Sequence, residues 1–365
     1  VRVINLSLIA VDWYIEGQRR KINESDPVKM SIPQEKLRGS LRNQVFYYNP
    51  ENPDGKGVDR AMSATEFLKY VGEDHPVEAG NGRKFETHMP THNVYIEVDR
   101  NKAFATGLCT PNDSNCVDKI PITVNSGYIT KDDIAVLDII NSNMYDRPIY
   151  FSVTCNGEKL MGMDDYTNLE GMALRVVPVK TKGDPMLYIY GAGKDDLDRT
   201  YDVIMNKFRW GNFDKEQQFI DHSYAPSIQA MRMIMMRTAL GLQQAGDKER
   251  AIKMANKYFE AFPNMNFQYD VRIMPFVQVL IESGDLESAK KELRTLATET
   301  LDMLEFMDTL TTEDLNKGFT QEKGSCMAAV REIMEKSKVL NDPQFLKDME
   351  SMFNKYNSVT PALPN

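Results

Sequence analysis

The sequence predicts an α/β or α+β domain over residues 1–195, followed by an all-α, tetratricopeptide-like helical repeat domain over residues 196–365. Three observations carry this. Strand-like and helix-like segments are mixed up to about residue 195. Beyond it the chain is almost wholly helix-forming. Two helical stretches there share one Gly-Asp-Glu-Ala pattern at a fixed offset.

The chain opens on a run in which Val1, Val3, Ile4, Leu6, Leu8 and Ile9 crowd together. Such density without alternation predicts a strand covered on both faces. Asp12 then reads as the N-cap of a helix reaching Ile22. Pro50–Arg60 is a Pro/Gly-rich loop. Ser63 with Glu66 three residues on is a capping-box signature, so a helix starts there. A second loop surrounds Gly80. Asn93–Val98 alternates apolar and polar residues, as a half-buried strand does. Lys131–Asn143 places Ile134, Leu137 and Ile140 on one face behind an acidic start, which predicts a helix. "RPIYFSVTC" and "MALRVVPV" read as strands. The junction falls near Gly191–Asp198, where glycines permit a hinge.

In the second half, Gly246-Asp247 with Glu249, Ala251 and Ala255 is echoed by Gly284-Asp285 with Glu287 and Ala289. The offset from Gly246 to Gly284 is 38 residues, against about 34 in tetratricopeptide repeats. Each Gly-Asp ends one helix and caps the next, and the alanines let paired helices approach. Helices near Thr320–Leu340 and Pro343–Tyr356 would close the array. Of the methionines in "AMRMIMMRTAL", Met231 and Met235 fall with Ala239 at helical spacing, which predicts core packing over an adaptable binding face.

A net charge of −9 argues against an electrostatic grip on nucleic acid. No run approaches the roughly 18 apolar residues that a bilayer span needs. No cofactor or metal motif is legible. His88 and His92 have i,i+4 spacing, but Pro90 between them breaks the helix that spacing would need. "GAGKDD" (Gly191–Asp196) lacks GxGxxG spacing and reads as a linker turn. The densest polar cluster is Asp164, Asp165, Tyr166, Glu170 and Arg175. It is either a pocket that hydrogen-bonds sugar hydroxyls or a capped turn oriented by a Glu170–Arg175 pair. Trp13 and Tyr14, an aromatic pair opening a helix, are either core or staple residues or a stacking platform, and Arg147 is open in the same way. Cys109 and Cys116 bracket a turn-rich loop and are either bridged or free thiols. Cys155 and Cys326 read as buried small hydrophobes.

"VRVINLSLIAVDWYIEGQRR", "RPIYFSVT", "DYTNLEGMALRVVP" and "YDVIMNKFRWGNFD" stand here in the order they take in a bacterial family of polytopic membrane proteins. That family resembles the multi-spanning protein O-mannosyltransferases. The sequence departs from it at Val11, where members usually carry a polar residue, and at His92, where a Lys is common. The resemblance implies that this chain is a soluble extracytoplasmic (periplasmic) accessory domain of an inner-membrane protein. It implies that transmembrane helices, then a strand and a helix, precede Val1. It places the catalytic carboxylates upstream, so no catalytic residue carries over onto this chain. It also favours a Cys109–Cys116 disulfide. The implied parent is a glycosyltransferase using a lipid-linked sugar. The implied partners are its own transmembrane region, a possible carbohydrate, and an acceptor protein or envelope partner bound by the helical repeats. The alternative is a non-enzymatic periplasmic scaffold.

Overall fold

Val1–Ile9 does not form the expected strand. In the computed structural model, which describes residues 1–52, 57, 59–78, 82, 84–124, 127–181 and 193–356, residues 1–5 are irregular and residues 6–10 form turns. Asn5 is the cause. Its side chain accepts from Ser7 N–H (2.9 Å), and its carbonyl accepts from Leu8 N–H (3.1 Å). Such a local turn competes with strand pairing. Val1 and Val3 are exposed, and of the run only Ile9 is fully buried.

Helix α1 (Asp12–Gln18) stops short of Ile22, and its N-cap is Val11 with no side-chain cap. Asp12 does not cap because its carboxylate reaches out to accept Gly39 N–H at 2.7 Å. The first of two units, Val1–Asp196, continues through β1 (Gln44–Phe46), β2 (Met62–Ser63), α2 (Ala64–Gly72), β3 (Val77–Glu78) and β4 (Lys84–Phe85). Next come β5 (Asn93–Glu97), α3 (Arg100–Ala105), β6 (Lys119–Thr123), β7 (Tyr128–Thr130) and α4 (Lys131–Asn143). It closes with β8 (Tyr150–Ser152), β9 (Thr167–Glu170), β10 (Ala173–Val176) and β11 (Lys194–Asp195). Gly80, Gly191 and Ala192 lie outside the described residues.

The strands form several small sheets. One has β5 between β2 and β6. Val94 faces Ile122 and Ile96 faces Ile120, all four buried, while Asn93, Tyr95 and Glu97 point the other way. Ser63 and Glu66 form the reciprocal capping box that starts α2. A second sheet runs in the order β11-β9-β10-β8. Gly193 lets β11 lie beside β9, since a Cβ there would come within 2.4 Å of the Thr167 carbonyl oxygen. β1 pairs with β7, and β3 with β4.

Helix α4 is the core of this unit. Ile134, Leu137 and Ile140 are buried as the periodicity predicts, but so are Lys131, Asp138 and Asn143. These three polar residues pin the chain segment 29–39 along the helix. Asp138 accepts from Ser31 N–H (2.8 Å) and Ile32 N–H (3.0 Å). Asn143 bonds both the N–H (3.0 Å) and the carbonyl (2.8 Å) of Lys29. Lys131 Nζ donates to the Gly39 carbonyl at 2.6 Å. Cys109 and Cys116 are disulfide-bonded, with Cα atoms 6.5 Å apart. Their loop is tied back by Val117 N–H to the Pro178 carbonyl at 2.9 Å.

The second unit, Leu197–Asn365, contains no strand among its described residues. Its helices are α5 (Leu197–Asp202), α6 (Ala225–Gln244), α7 (Lys248–Ala261), α8 (Met274–Ser283), α9 (Leu286–Asp308), α10 (Thr312–Asp314), α11 (Thr320–Val339) and α12 (Pro343–Met352). From α6 to α9, each helix packs on the next. Gly246 (φ +82°) and Gly284 (φ +103°) take the left-handed conformation after α6 and α8. Asp247 then caps α7 by accepting Arg250 N–H, and Asp285 caps α9 by accepting Ser288 N–H. Ala251, Ala255 and Ala289 are fully buried. Tyr258 of α7 stacks flat on Phe276 of α8, ring centres 3.9 Å apart. Met235 and Ala239 are buried, as core residues of α6. Among the described residues no helix is long and apolar enough to cross a membrane.

Candidate functional site

The polar run from Asp164 to Arg175 folds as a 3₁₀ turn without a side-chain cap, followed by a hairpin. Asp164–Tyr166 is a single 3₁₀ turn leading into β9. The Asp164 carbonyl accepts from the Thr167 hydroxyl (2.9 Å), and that of Asp165 from Thr181 N–H (2.8 Å). Tyr166 is buried; burial, then the Asp165 charge, raises its phenol above the usual range. Glu170, opposite Ala173, and Arg175, opposite Asn168, meet diagonally across the β9–β10 hairpin with charged atoms 3.5 Å apart. The Tyr150 hydroxyl donates to Glu170 at 2.6 Å, and Arg175 reaches the Gly107 carbonyl at 3.3 Å. Thus Glu170, Arg175 and Tyr150 form one group.

Arg147 belongs elsewhere. Its guanidinium donates to the carbonyls of Pro27 (3.1 Å) and Asp26 (3.4 Å). Arg2 holds the same loop through the carbonyls of Ser25 (3.0 Å) and Asp26 (3.1 Å). Trp13 is 65% exposed on α1, edge-on to Tyr14 at 5.6 Å. The Tyr14 hydroxyl accepts Asn5 N–H at 2.6 Å.

Two constellations join residues that no local spacing links. The first centres on Asp59, a buried residue near the end of the Pro50–Arg60 stretch. One carboxylate oxygen accepts from Tyr47 (2.8 Å), Asn52 (2.8 Å) and Asn49 (3.2 Å). The other accepts from the backbone N–H (2.8 Å) and ring Nδ1 (3.0 Å) of His92. Burial opposes ionisation, but the bonds from Asn52, His92 and Tyr47 outweigh it and hold Asp59 down at about 2. Tyr47 is pushed up to about 12, by burial first and then by this carboxylate. The His92 ring also stacks on Tyr47, centres 3.9 Å apart. His88 has other partners: the Tyr70 hydroxyl at 2.8 Å and the His75 carbonyl at 3.1 Å. The two histidines therefore serve separate networks.

The second constellation is a cavity of about 300 Å³ between β1 and residues 84–87. The two segments are tied at Met89 N–H to the Phe46 carbonyl (2.8 Å). At the cavity, Arg42 is buried with φ +57°. Its Nε and Nη2 donate to the Val71, Gly72 and Glu73 carbonyls and to Asp74, at 2.7–3.2 Å. These bonds close the C-terminal end of α2. Arg42 Nη1 and Thr87 Oγ1 are buried with no hydrogen-bond partner.

The TMEM260-associated domain 2 family matches residues 1–197. The chain belongs to that family. The match spans the whole first unit, so the Glu170–Arg175 hairpin, the Asp59 network and the Arg42 cavity all lie within the matched residues. No curated protein and no solved structure matches the chain.

Proposed function

We propose that this chain is the non-catalytic, extracytoplasmic part of a polytopic membrane protein of O-mannosyltransferase-like type. The family match over residues 1–197 carries the reading, because it ties the first unit to TMEM260. The sequence resemblance points the same way. A disulfide between Cys109 and Cys116 suits an oxidising compartment such as the periplasm. Three of the ionisable residues singled out by sequence, Arg147, Glu170 and Arg175, are engaged in holding backbone or each other. Arg147 grips two carbonyls and Glu170 pairs with Arg175. Chemistry on a lipid-linked sugar then falls to the upstream membrane region.

In the second unit, consecutive helices joined by Gly-Asp turns act as a tetratricopeptide-like array that binds an acceptor protein or an envelope partner. The purified chain, incubated with activated and lipid-linked sugar donors, is expected to transfer nothing. It is expected to be retained by its own detergent-solubilised transmembrane region. Turnover by the chain alone contradicts the reading.

A further inference from the structure

We propose that the cavity beside Arg42 binds a small organic carboxylate with an apolar body. The carboxylate takes the place now held by Glu86 at Arg42 Nη1, and the body lies against Phe46 and Phe85. This site stands apart from the accessory role and would hold equally for a scaffold.

The argument begins with the guanidinium. Arg42 uses Nε and Nη2 fully, while Nη1 donates to nothing. A buried donor left unpaired costs about 1–3 kcal/mol. Its nearest carboxylate is Glu86 at 3.8 Å, too long for a hydrogen bond. Glu86 is itself 58% exposed at its side chain, so it can swing into solvent at little cost. Asp74 answers Arg42 only on the Nη2 side. Thr87 Oγ1, also buried and unpartnered at this cavity, supplies a second donor for a carboxylate oxygen. A carboxylate has an oxygen to offer each of the two donors.

The surroundings set the rest of the ligand. Lys84 lines the cavity too, with its ammonium 3.9 Å from Glu78, so a ligand carboxylate replaces the charge of Glu86 and leaves the balance of the site unchanged. Phe46 and Phe85 are half-buried, with ring centres 4.8 Å apart and planes tilted by 49°. They offer an apolar wall that a bare inorganic anion would not use. A volume of about 300 Å³ lies at the small end of ligand sites and suits one ring.

The test is an amide NMR titration of the whole chain with sodium benzoate at constant ionic strength, with acetate, inorganic phosphate and methyl glucoside as comparisons. Benzoate should give saturable shifts at Gln44, Phe46, Glu86 and Thr87, with acetate weaker. Glu86→Gln, which removes the competing carboxylate, should tighten benzoate binding about tenfold, and Thr87→Val should weaken it about tenfold. If Thr87→Val fails to fold, the exposed Glu86→Gln decides. No saturable benzoate shifts, weaker benzoate binding by Glu86→Gln, or a response to phosphate or the glucoside but not benzoate would each overturn the proposal.

Discussion

Asp59 accepts two hydrogen bonds from one residue, His92: from the backbone N–H at 2.8 Å and from the ring at 3.0 Å. The carboxylate acceptor fixes the proton on Nδ1. With Tyr47, Asn49 and Asn52 on its other oxygen, Asp59 ties the loop after β1 to the segment leading into β5.

That network predicts a pH dependence with a definite sign. The folded carboxyl titrates at about 2, below its unfolded range near 3.9. Its stabilisation, about 2–3 kcal/mol, is present above pH ~4 and fades as pH falls towards 2. Asp59→Asn should lose about that much in urea unfolding at pH 7 and far less near pH 2. An equal loss at both pH values would show that the charge is irrelevant.

Asp138→Ala should be among the most damaging single changes. It leaves Ser31 N–H and Ile32 N–H without their acceptor inside the unit. The expected cost is about 3 kcal/mol or more. Hydrogen exchange at Ser31 and Ile32 should quicken before exchange in β5 does. Unchanged protection at those two amides would refute the role given to Asp138.

The Gly-Asp turns make a paired prediction. Asp247→Ala and Asp285→Ala should each cost about 1 kcal/mol as lost caps. Asp285→Ala should cost the more, because its further bond, from Asn256 of α7 at 3.0 Å, joins two helices, whereas that of Asp247, from Arg250 Nε at 2.6 Å, stays within its own helical turn. Thermal unfolding followed by circular dichroism gives the order.

Thiol counting tests the covalent link. Protein matured in an oxidising compartment should show two free thiols, Cys155 and Cys326, and four after reduction. Replacing Cys109 and Cys116 by Ser should cost about 2–3 kcal/mol, the chain-entropy figure for so small a ring. Four free thiols before reduction would contradict the bridge.

What the sequence made legible was local. The Ser63–Glu66 capping box, helix Lys131–Asn143 and the two Gly-Asp turns depend on residues within one or two turns of each other. Val1–Ile9 misled because apolar density says nothing of Asn5, whose side chain turns the backbone. Asp12 misled because its carboxylate found a distant amide, that of Gly39. In the polar cluster, the Glu170–Arg175 pair was one of two open readings, and β-pairing brings the two together. Asp59 meets His92, and Arg42 comes to line one cavity with Thr87, only through tertiary structure, so no spacing announces them.

The accessory role is tested most directly by transfer of a labelled mannosyl group in membranes carrying the intact parent protein, set against the same protein lacking this region. Intact protein should glycosylate its protein acceptor, the truncated form should lose that transfer, and the isolated chain should have none. Full transfer by the truncated form, or any transfer by the chain alone, would contradict it.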